Sequence, residues 1–399
     1  MSAASPDYPR VFVLPGRDKR AARGHPWVYA NEVRMDAEAK ALAPGAIVLL
    51  LRTDGKPLGV GTFNPHALIA FRFLSRDPAV CVDEAFFAGR LGRALALREQ
   101  LFDAPYYRLA HAEADGLPGL VVDRFGPVLS VQAGTAGMDG CLPQVLAALD
   151  TLLAPAAVVL RNDGRGRALE GLAAEVRVVK GRLDGPVEVK EGGLTFLADL
   201  GEGQKTGWFF DQRDNRARVA RLAKGGRMLD VYCYAGGFAV SAAAAGATEV
   251  LAVDSSEKAL ELAALSARVN GVAGRCAWRR ADAFEEMARL DAAGERFEVV
   301  AVDPPAFVKS RKDLASGLKG YGKLARLAAR LVAPGGFLFM ASCSHNVEPA
   351  PFAETVAEGV YKAGREGRVL SATGAAADHP VHPQLPESAY LKALILQLD

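Results

Sequence analysis

Short apolar runs punctuated by Pro-Gly, Asp-Gly and Asn-Pro pairs open the chain. Val11-Phe12-Val13-Leu14, Ala46 to Leu51 and Ile69 to Leu74 predict the strands of a small β-barrel over residues 9–78. The period then changes. Phe86, Leu91, Leu95 and Leu101 fall at helical spacing and predict a helix from Asp83 to Leu101. Strand-like runs at Gly119–Asp123 and Ala157–Arg161, with a helix over Leu142–Leu153, make residues 83–195 a small α+β section.

From residue 196 to 399 the pattern becomes strand, turn, helix, strand, the sign of an open parallel sheet wound with helices. The predicted strands are Arg227–Tyr232, Glu249–Asp254, Phe297–Asp303, Phe337–Ala341 and Leu391–Leu398. Helices fall over Phe238–Ala245 and Ser256–Asn270. The fold class is α/β and Rossmann-like, with two smaller N-terminal parts.

A chain of 399 residues, half of them hydrophobic, can bury more than one core. The net charge of +2 puts no global demand on the partner, so any nucleic-acid contact must come from local clusters of cations. Cys81, Cys141, Cys233, Cys276 and Cys343 form no C-x-x-C pair and no His/Cys cluster with metal-ligand spacing, so neither zinc nor a disulfide framework is expected. Met1–Arg10 lacks the apolar core of a signal peptide, and no apolar run reaches membrane-spanning length. The expectation is a cytoplasmic protein without metal or membrane partner, with a homodimer allowed.

The candidate chemistry begins at the end of the first sheet strand, Asp230-Val231-Tyr232-Cys233-Tyr234-Ala235-Gly236-Gly237. Glycines at such a turn let backbone approach a nucleotide at a helix N-terminus, but the G-x-G-x-x-G spacing of a dinucleotide site is missing. Asp254 closes the second strand, where a carboxylate can accept from both hydroxyls of a ribose. Asp282 follows the next strand, near an adenine amino group. With Asp303 at the fourth strand, the ordered set Asp230, Gly236, Gly237, Asp254, Asp282 and Asp303 matches class I S-adenosylmethionine-dependent methyltransferases.

The acceptor side reads Asp303-Pro304-Pro305-Ala306-Phe307, with Cys343 ending the next long strand in Ala341-Ser342-Cys343-Ser344. A cysteine in an apolar strand is ordinarily a small buried hydrophobe. Beside a methyl-donor site it acquires a second reading, because thiolate attack on C6 of a pyrimidine makes C5 nucleophilic. Arg17, Lys19 and Arg20 near Trp27 and Tyr29 suit RNA, as do Lys309, Arg311 and Lys312. These last three open a Gly-rich basic segment with Lys319 and Lys323 that reads as a mobile loop.

On these residues the chain resembles the bacterial 23S ribosomal RNA cytosine-C5 methyltransferases of the large-subunit methyltransferase I type. The most specific stretch is Gly203-Gln204-Lys205-Thr206-Gly207-Trp208-Phe209-Phe210-Asp211-Gln212-Arg213, similar to the family's G-x-K-T-G-x-x-x-D-Q-R segment. Ala112–Leu120, Ala377-Asp378-His379-Pro380-Val381 and Tyr390-Leu391-Lys392 resemble its other signatures, and residues 9–78 resemble a PUA domain. The resemblance implies S-adenosylmethionine as donor, 23S rRNA or a large-subunit precursor as acceptor, Cys343 as nucleophile and Asp303 in the acceptor pocket. It also implies that Lys205 and Asp211 support the donor site. Three other readings stay open: an N7-guanine methyltransferase, which needs no cysteine; a small-molecule methyltransferase; and an RNA-binding assembly factor without turnover.

Overall fold

The computed structural model describes residues 6–201 and 207–399. It divides into two compact units. The first comprises residues 1–187, 199–207 and 378–386, and the second residues 188–198, 208–377 and 387–399.

In the first unit a five-stranded sheet runs in the order Arg10–Phe12, Ala46–Leu51, Pro57–Phe63, Ile69–Ser75, Trp27–Tyr29. Two of these strands lie outside the sequence expectation. Pro57–Phe63 contains Gly59 and Gly61, which weaken a strand pattern. A Cβ on Gly61 would strike the Arg72 backbone and the Phe71 ring, so the glycine permits close approach of neighbouring strands. Trp27–Tyr29, read as part of a basic turn, instead pairs with Ile69–Ser75.

A second five-stranded sheet, Glu175–Lys180, Ala157–Asn162, Val128–Ala133, Leu120–Phe125, Tyr106–His111, carries the helices Glu84–Leu101 and Leu142–Leu153. Asp83 caps the first helix by accepting from Phe86 N. Val60 and Leu74 of the first sheet share one apolar cluster with Phe87, Leu91, Leu120 and Val145.

Beneath this sheet Arg98, fully buried, donates to both oxygens of Asp115 and to the carbonyls of Arg108 and Asp378. Arg108 is bidentate to Asp123, and its amide donates to Asp378. Two of the family-like segments, Ala112–Leu120 and Asp378-His379-Pro380, thus meet in a buried ionic cluster. Burial first, then the charge of Arg108, pushes His111 down to about 2, so it stays neutral in the cluster.

The second unit is built on a seven-stranded sheet ordered Cys276–Arg280, Glu249–Asp254, Arg227–Val231, Phe297–Val302, Val332–Ser342, Lys392–Leu398, Gly367–Thr373. The first five are parallel, and Lys392–Leu398 is antiparallel to both its neighbours. Strand residues alternate between two buried faces. Leu229, Val300 and Leu338 pack on one side with helix Leu314–Leu331. Met228, Val299 and Phe339 pack on the other with helix Gly237–Ala245. The order reverses at Arg227–Val231, the switch point where such sheets open a crevice at their carboxyl ends.

One expectation changes here, and one strand is new. The basic Gly-rich segment is no mobile loop, since residues 314–331 form one helix that holds Lys319 and Lys323. Gly317 and Gly320 sit where a Cβ would meet Val308 and the Phe307 ring, so they let the helix close on the Asp303–Val308 segment. The edge strand Gly367–Thr373 went unread because most of it is exposed, which erases the apolar signal. Among the described residues no helix is long and apolar enough to cross a membrane.

Candidate active site

The turn after Arg227–Val231 is held in a costly conformation. Tyr232 and Tyr234 adopt φ of 65° and 47°, a left-handed region that non-glycine residues enter at about 1–3 kcal/mol each. Asp254 helps maintain it, accepting from Tyr234 N and from Ser256 N, both at 2.9 Å. A carboxylate has about four lone-pair sites, so Asp254 keeps capacity for a ribose.

Asp230 is buried beneath the turn and accepts from Ala239 N at 3.0 Å. Burial pushes its carboxyl up to about 8, and the fields of Asp303 and Asp254 add to the rise. Three aspartates therefore gather at the strand ends. Asp230 is largely protonated at neutral pH, so the negative potential comes from Asp254 and Asp303; beside the N-terminus of helix Gly237–Ala245 it suits a ligand carrying both a cation and a carboxylate, as S-adenosylmethionine does.

Gly236, at φ 78°, precedes this helix, and a Cβ there would meet Ala263. One on Gly237 would meet Arg216 and Trp208. The crowding around both glycines thus comes from the protein's own packing. Asp282 is exposed and caps helix Ala283–Ala292, accepting from Phe284 N and Glu285 N. Tyr232 lies in the fields of Asp282 and Asp254 and, mainly through burial, rises to about 12.

The acceptor-side motifs converge through register. Phe297–Val302 pairs with Val332–Ser342, matching Val302 to Met340, so Asp303 and Cys343 leave the sheet from adjacent strand ends. Val308 N donates to Ser344 Oγ at 3.2 Å. Tyr321, from helix Leu314–Leu331, reaches between the segments, with its hydroxyl 2.9 Å from both Ser342 Oγ and Ser344 Oγ. Its ring packs on Phe307 at 4.7 Å. Cys343 is part-exposed between these two buried serines.

The Asp211-Gln212 pair supplies a third connection. Gln212 Nε2 donates to Asp303 Oδ2 at 2.9 Å. Asp211, buried, accepts from the Tyr390 hydroxyl at 2.5 Å. Tyr390 in turn offers its carbonyl to Lys392 Nζ at 2.8 Å, and the same ammonium donates to the Ser344 carbonyl at 2.6 Å. Lys205, from the same motif, lies outside the described residues. Among the described residues no group of three or more His, Cys, Asp or Glu side chains gathers as a metal site.

Of the basic residues, Arg17, Lys19, Lys309, Arg311 and Lys312 are exposed. Arg20 is engaged with Glu32 at 2.6 Å and lies over the Tyr29 ring at 4.4 Å. Trp27 Nε1 is used on Glu113 at 2.8 Å. Sequence reasoning missed Tyr321, the placement of Lys392 and Asn215, whose Nδ2 donates to Gln212 Oε1 at 2.7 Å. Tyr321 sat inside a segment read as loop, whereas Lys392 was visible only as part of a C-terminal signature without a role.

Residues 172–397 match the family of S-adenosylmethionine-dependent methyltransferases, and residues 11–76 match a PUA-like domain. The ribosomal RNA large subunit methyltransferase I of Aeromonas hydrophila is 35% identical over 393 residues, covering 97% of this chain and 98% of that one. The chain belongs to the ribosomal RNA large subunit methyltransferase I family. The Salmonella arizonae member of the family is also 35% identical, with 97% of each chain covered. Solved structures agree with the family fold. A candidate SAM-dependent methyltransferase from Streptococcus mutans superposes with a TM-score of 0.81 at 19% identity, covering 98% of this chain and 100% of that one. SMU.776, a candidate methyltransferase complexed with SAH, gives 0.83 at 18% with the same coverage. The α/β methyltransferase fold and the family resemblance read from the sequence are thereby confirmed.

Proposed function

We propose that this family member forms 5-methylcytosine in 23S ribosomal RNA, with Cys343 as covalent nucleophile and Asp303 in the acceptor pocket. The observation that carries the reading is the joining of the Cys343 loop to the Asp303–Val308 segment through Tyr321 and the Val308–Ser344 hydrogen bond. Relatives named for the ribosomal RNA large subunit support the choice of substrate.

A pyrimidine C5 is a poor nucleophile. Attack by the Cys343 thiolate forms an Sγ–C6 bond and moves the C5=C6 electron pair towards C5, which becomes an enamine carbon able to take a methyl group. Asp303 holds the base edge and shares a proton with a ring nitrogen. After methylation the C5 proton leaves to a base, the C5=C6 bond re-forms and the thiolate departs. S-adenosylmethionine supplies the electrophilic methyl group and leaves as S-adenosylhomocysteine. Asp254 binds its ribose, Asp282 stands towards its adenine, and Asp230, Gly236 and Gly237 shape the turn that receives it. Asp211 and Lys205 support the same site.

The target base must leave its stack, at a few kcal/mol, which favours loops and single strands. Exposed Arg17, Lys19, Lys309, Arg311 and Lys312 supply phosphate contacts. Arg20, tied to Glu32, orders the basic turn as well as adding charge.

The deciding experiment transfers labelled methyl from S-adenosylmethionine to modification-free 23S rRNA, followed by nucleoside mass analysis, for wild type, Cys343→Ala and Asp254→Ala. Cysteine-dependent 5-methylcytosine, with donor binding kept in Cys343→Ala and weakened in Asp254→Ala, supports the proposal. Full turnover in Cys343→Ala rejects covalent catalysis, a methylated guanine moves the acceptor to N7, and no turnover in wild type leaves a binding role.

A further inference from the structure

Lys392 begins the antiparallel strand beside Val332–Ser342, directly opposite Ser342. It is only 7% exposed. Its ammonium donates to two carbonyls, those of Ser344 and Tyr390, and neither partner is a carboxylate. A buried cation whose direct hydrogen-bond partners are neutral carbonyls carries a desolvation cost of several kcal/mol, which anions close by offset. The carbonyl it grips belongs to the residue after Cys343, and the residue it faces across the ladder is the one before.

We propose that Lys392 is the built-in countercharge of Cys343, a positioning residue that holds the cysteine loop and stabilises its ionised thiol. The inference rests on reading Cys343 as the nucleophile, and it names the cation such a nucleophile needs. A free thiol with a reference pKa of about 8.5 is only a few per cent ionised at neutrality. An ammonium with a fixed backbone grip on the same loop raises that fraction. The coupling is reciprocal. Burial lowers the pKa of Lys392, while the field of Cys343 acts in the opposite direction and favours the ammonium. The ammonium must favour the thiolate to the same extent.

Among the described residues, the other ionisable groups around the loop do not supply this charge. Tyr321 is kept neutral, its phenol pushed up chiefly by burial, and it binds the flanking serines. Glu348, in the turn that follows, carries the sign of the thiolate, as does Asp303 at the neighbouring strand end. His345 is exposed and packs at a tilt against Tyr390, with ring centroids 5.2 Å apart. Lys392 is the buried cation of the group.

The test measures iodoacetamide alkylation of Cys343 against pH in the full chain, by peptide mass mapping, without RNA or methyl donor. Cys81, exposed and with its thiol pushed up mainly by partial desolvation, is the reference in the same tube. In wild type the Cys343 profile should lie about one pH unit or more below that of Cys81. Lys392→Met should move it up by about one unit while Cys81 stays put, and Lys392→Arg should restore most of the difference. A wild-type Cys343 that titrates with or above Cys81 overturns the proposal, and this result needs no variant. So does an unmoved Cys343 profile in a Lys392→Met protein that still binds S-adenosylhomocysteine. Because the assay reads the thiol alone, failure of the nucleophile reading is separately visible as full turnover in Cys343→Ala.

Discussion

The side-chain amide of Gln212 donates to the carboxylate of Asp303 at 2.9 Å, and both lie in one directional chain of hydrogen bonds. Asn215 Nδ2 donates to Gln212 Oε1 at 2.7 Å, and Thr373 Oγ1 donates to Asn215 Oδ1 at 2.7 Å. Each amide has its oxygen and nitrogen orientation set by the next partner, so the carboxylate is held by a relay that starts at the edge strand. Gln212 and Asn215 are both buried, which keeps competing water away.

Gln212→Leu should therefore let Asp303 turn. Methyl transfer is expected to fall by about tenfold to a hundredfold, the cost of misplacing a group near the reacting atoms. Initial rates at saturating donor and a calorimetric titration with S-adenosylhomocysteine would check it. Unchanged rates would mean that Asp303 is held in place without the relay.

Tyr321→Phe removes one oxygen that ties Ser342 to Ser344, leaving buried hydroxyls short of a partner. A loss of about 1–3 kcal/mol is expected locally. Hydrogen exchange at the Val308 and Ser344 amides should speed up while the amides of strand Arg227–Val231 keep their protection. Equal acceleration everywhere would instead indicate global destabilisation.

Asp230 predicts a pH dependence with a definite sign. Its folded carboxyl lies at about 8, well above the ordinary value of 3.8, so the folded chain binds the proton more tightly than the unfolded one. Stability from this group is fully present below the unfolded value and is lost as pH rises through about 8. Asp230→Asn has no proton to release, so the stability of wild type relative to the variant should decline between about pH 4 and 8. Urea midpoints at several pH values would measure it, and a flat difference would show that Asp230 is charged without penalty.

Arg98→Met leaves Asp115 buried without its bidentate partner and frees two carbonyls. Breaking such a pair costs about 3–5 kcal/mol. The first unit should unfold at lower urea, followed by hydrogen exchange in strand Tyr106–His111, while hydrogen exchange in strand Phe297–Val302 changes little. A shift below about 1 kcal/mol would place the pair among weakly contributing ion pairs.

Much of the second unit was legible because its strands are buried on both faces and its turns carry aspartates at regular intervals. Glu249–Asp254 has the bounds that its apolar run predicts, and Phe297–Val302 differs by one residue. The edge strand Gly367–Thr373 was not legible, because exposure removes the apolar periodicity on which strand reading depends. The helix over Leu314–Leu331 was hidden for the opposite reason. Its glycines read as loop residues, although they serve close packing against Phe307 and Val308.

The sequence by itself determined the α/β sheet, the family and the identity of the residues at its strand ends, because periodicity and motif spacing are local properties of the chain. Tertiary structure alone decided which residues support Asp303 and Cys343. Gln212 is 91 positions from Asp303, and Lys392 is 48 from Ser344. Bonds across such separations form only when strand register brings the segments together, and nothing in either local pattern encodes that meeting. The same holds for the buried ammonium of Lys392, an ordinary lysine in the sequence until folding removes its water.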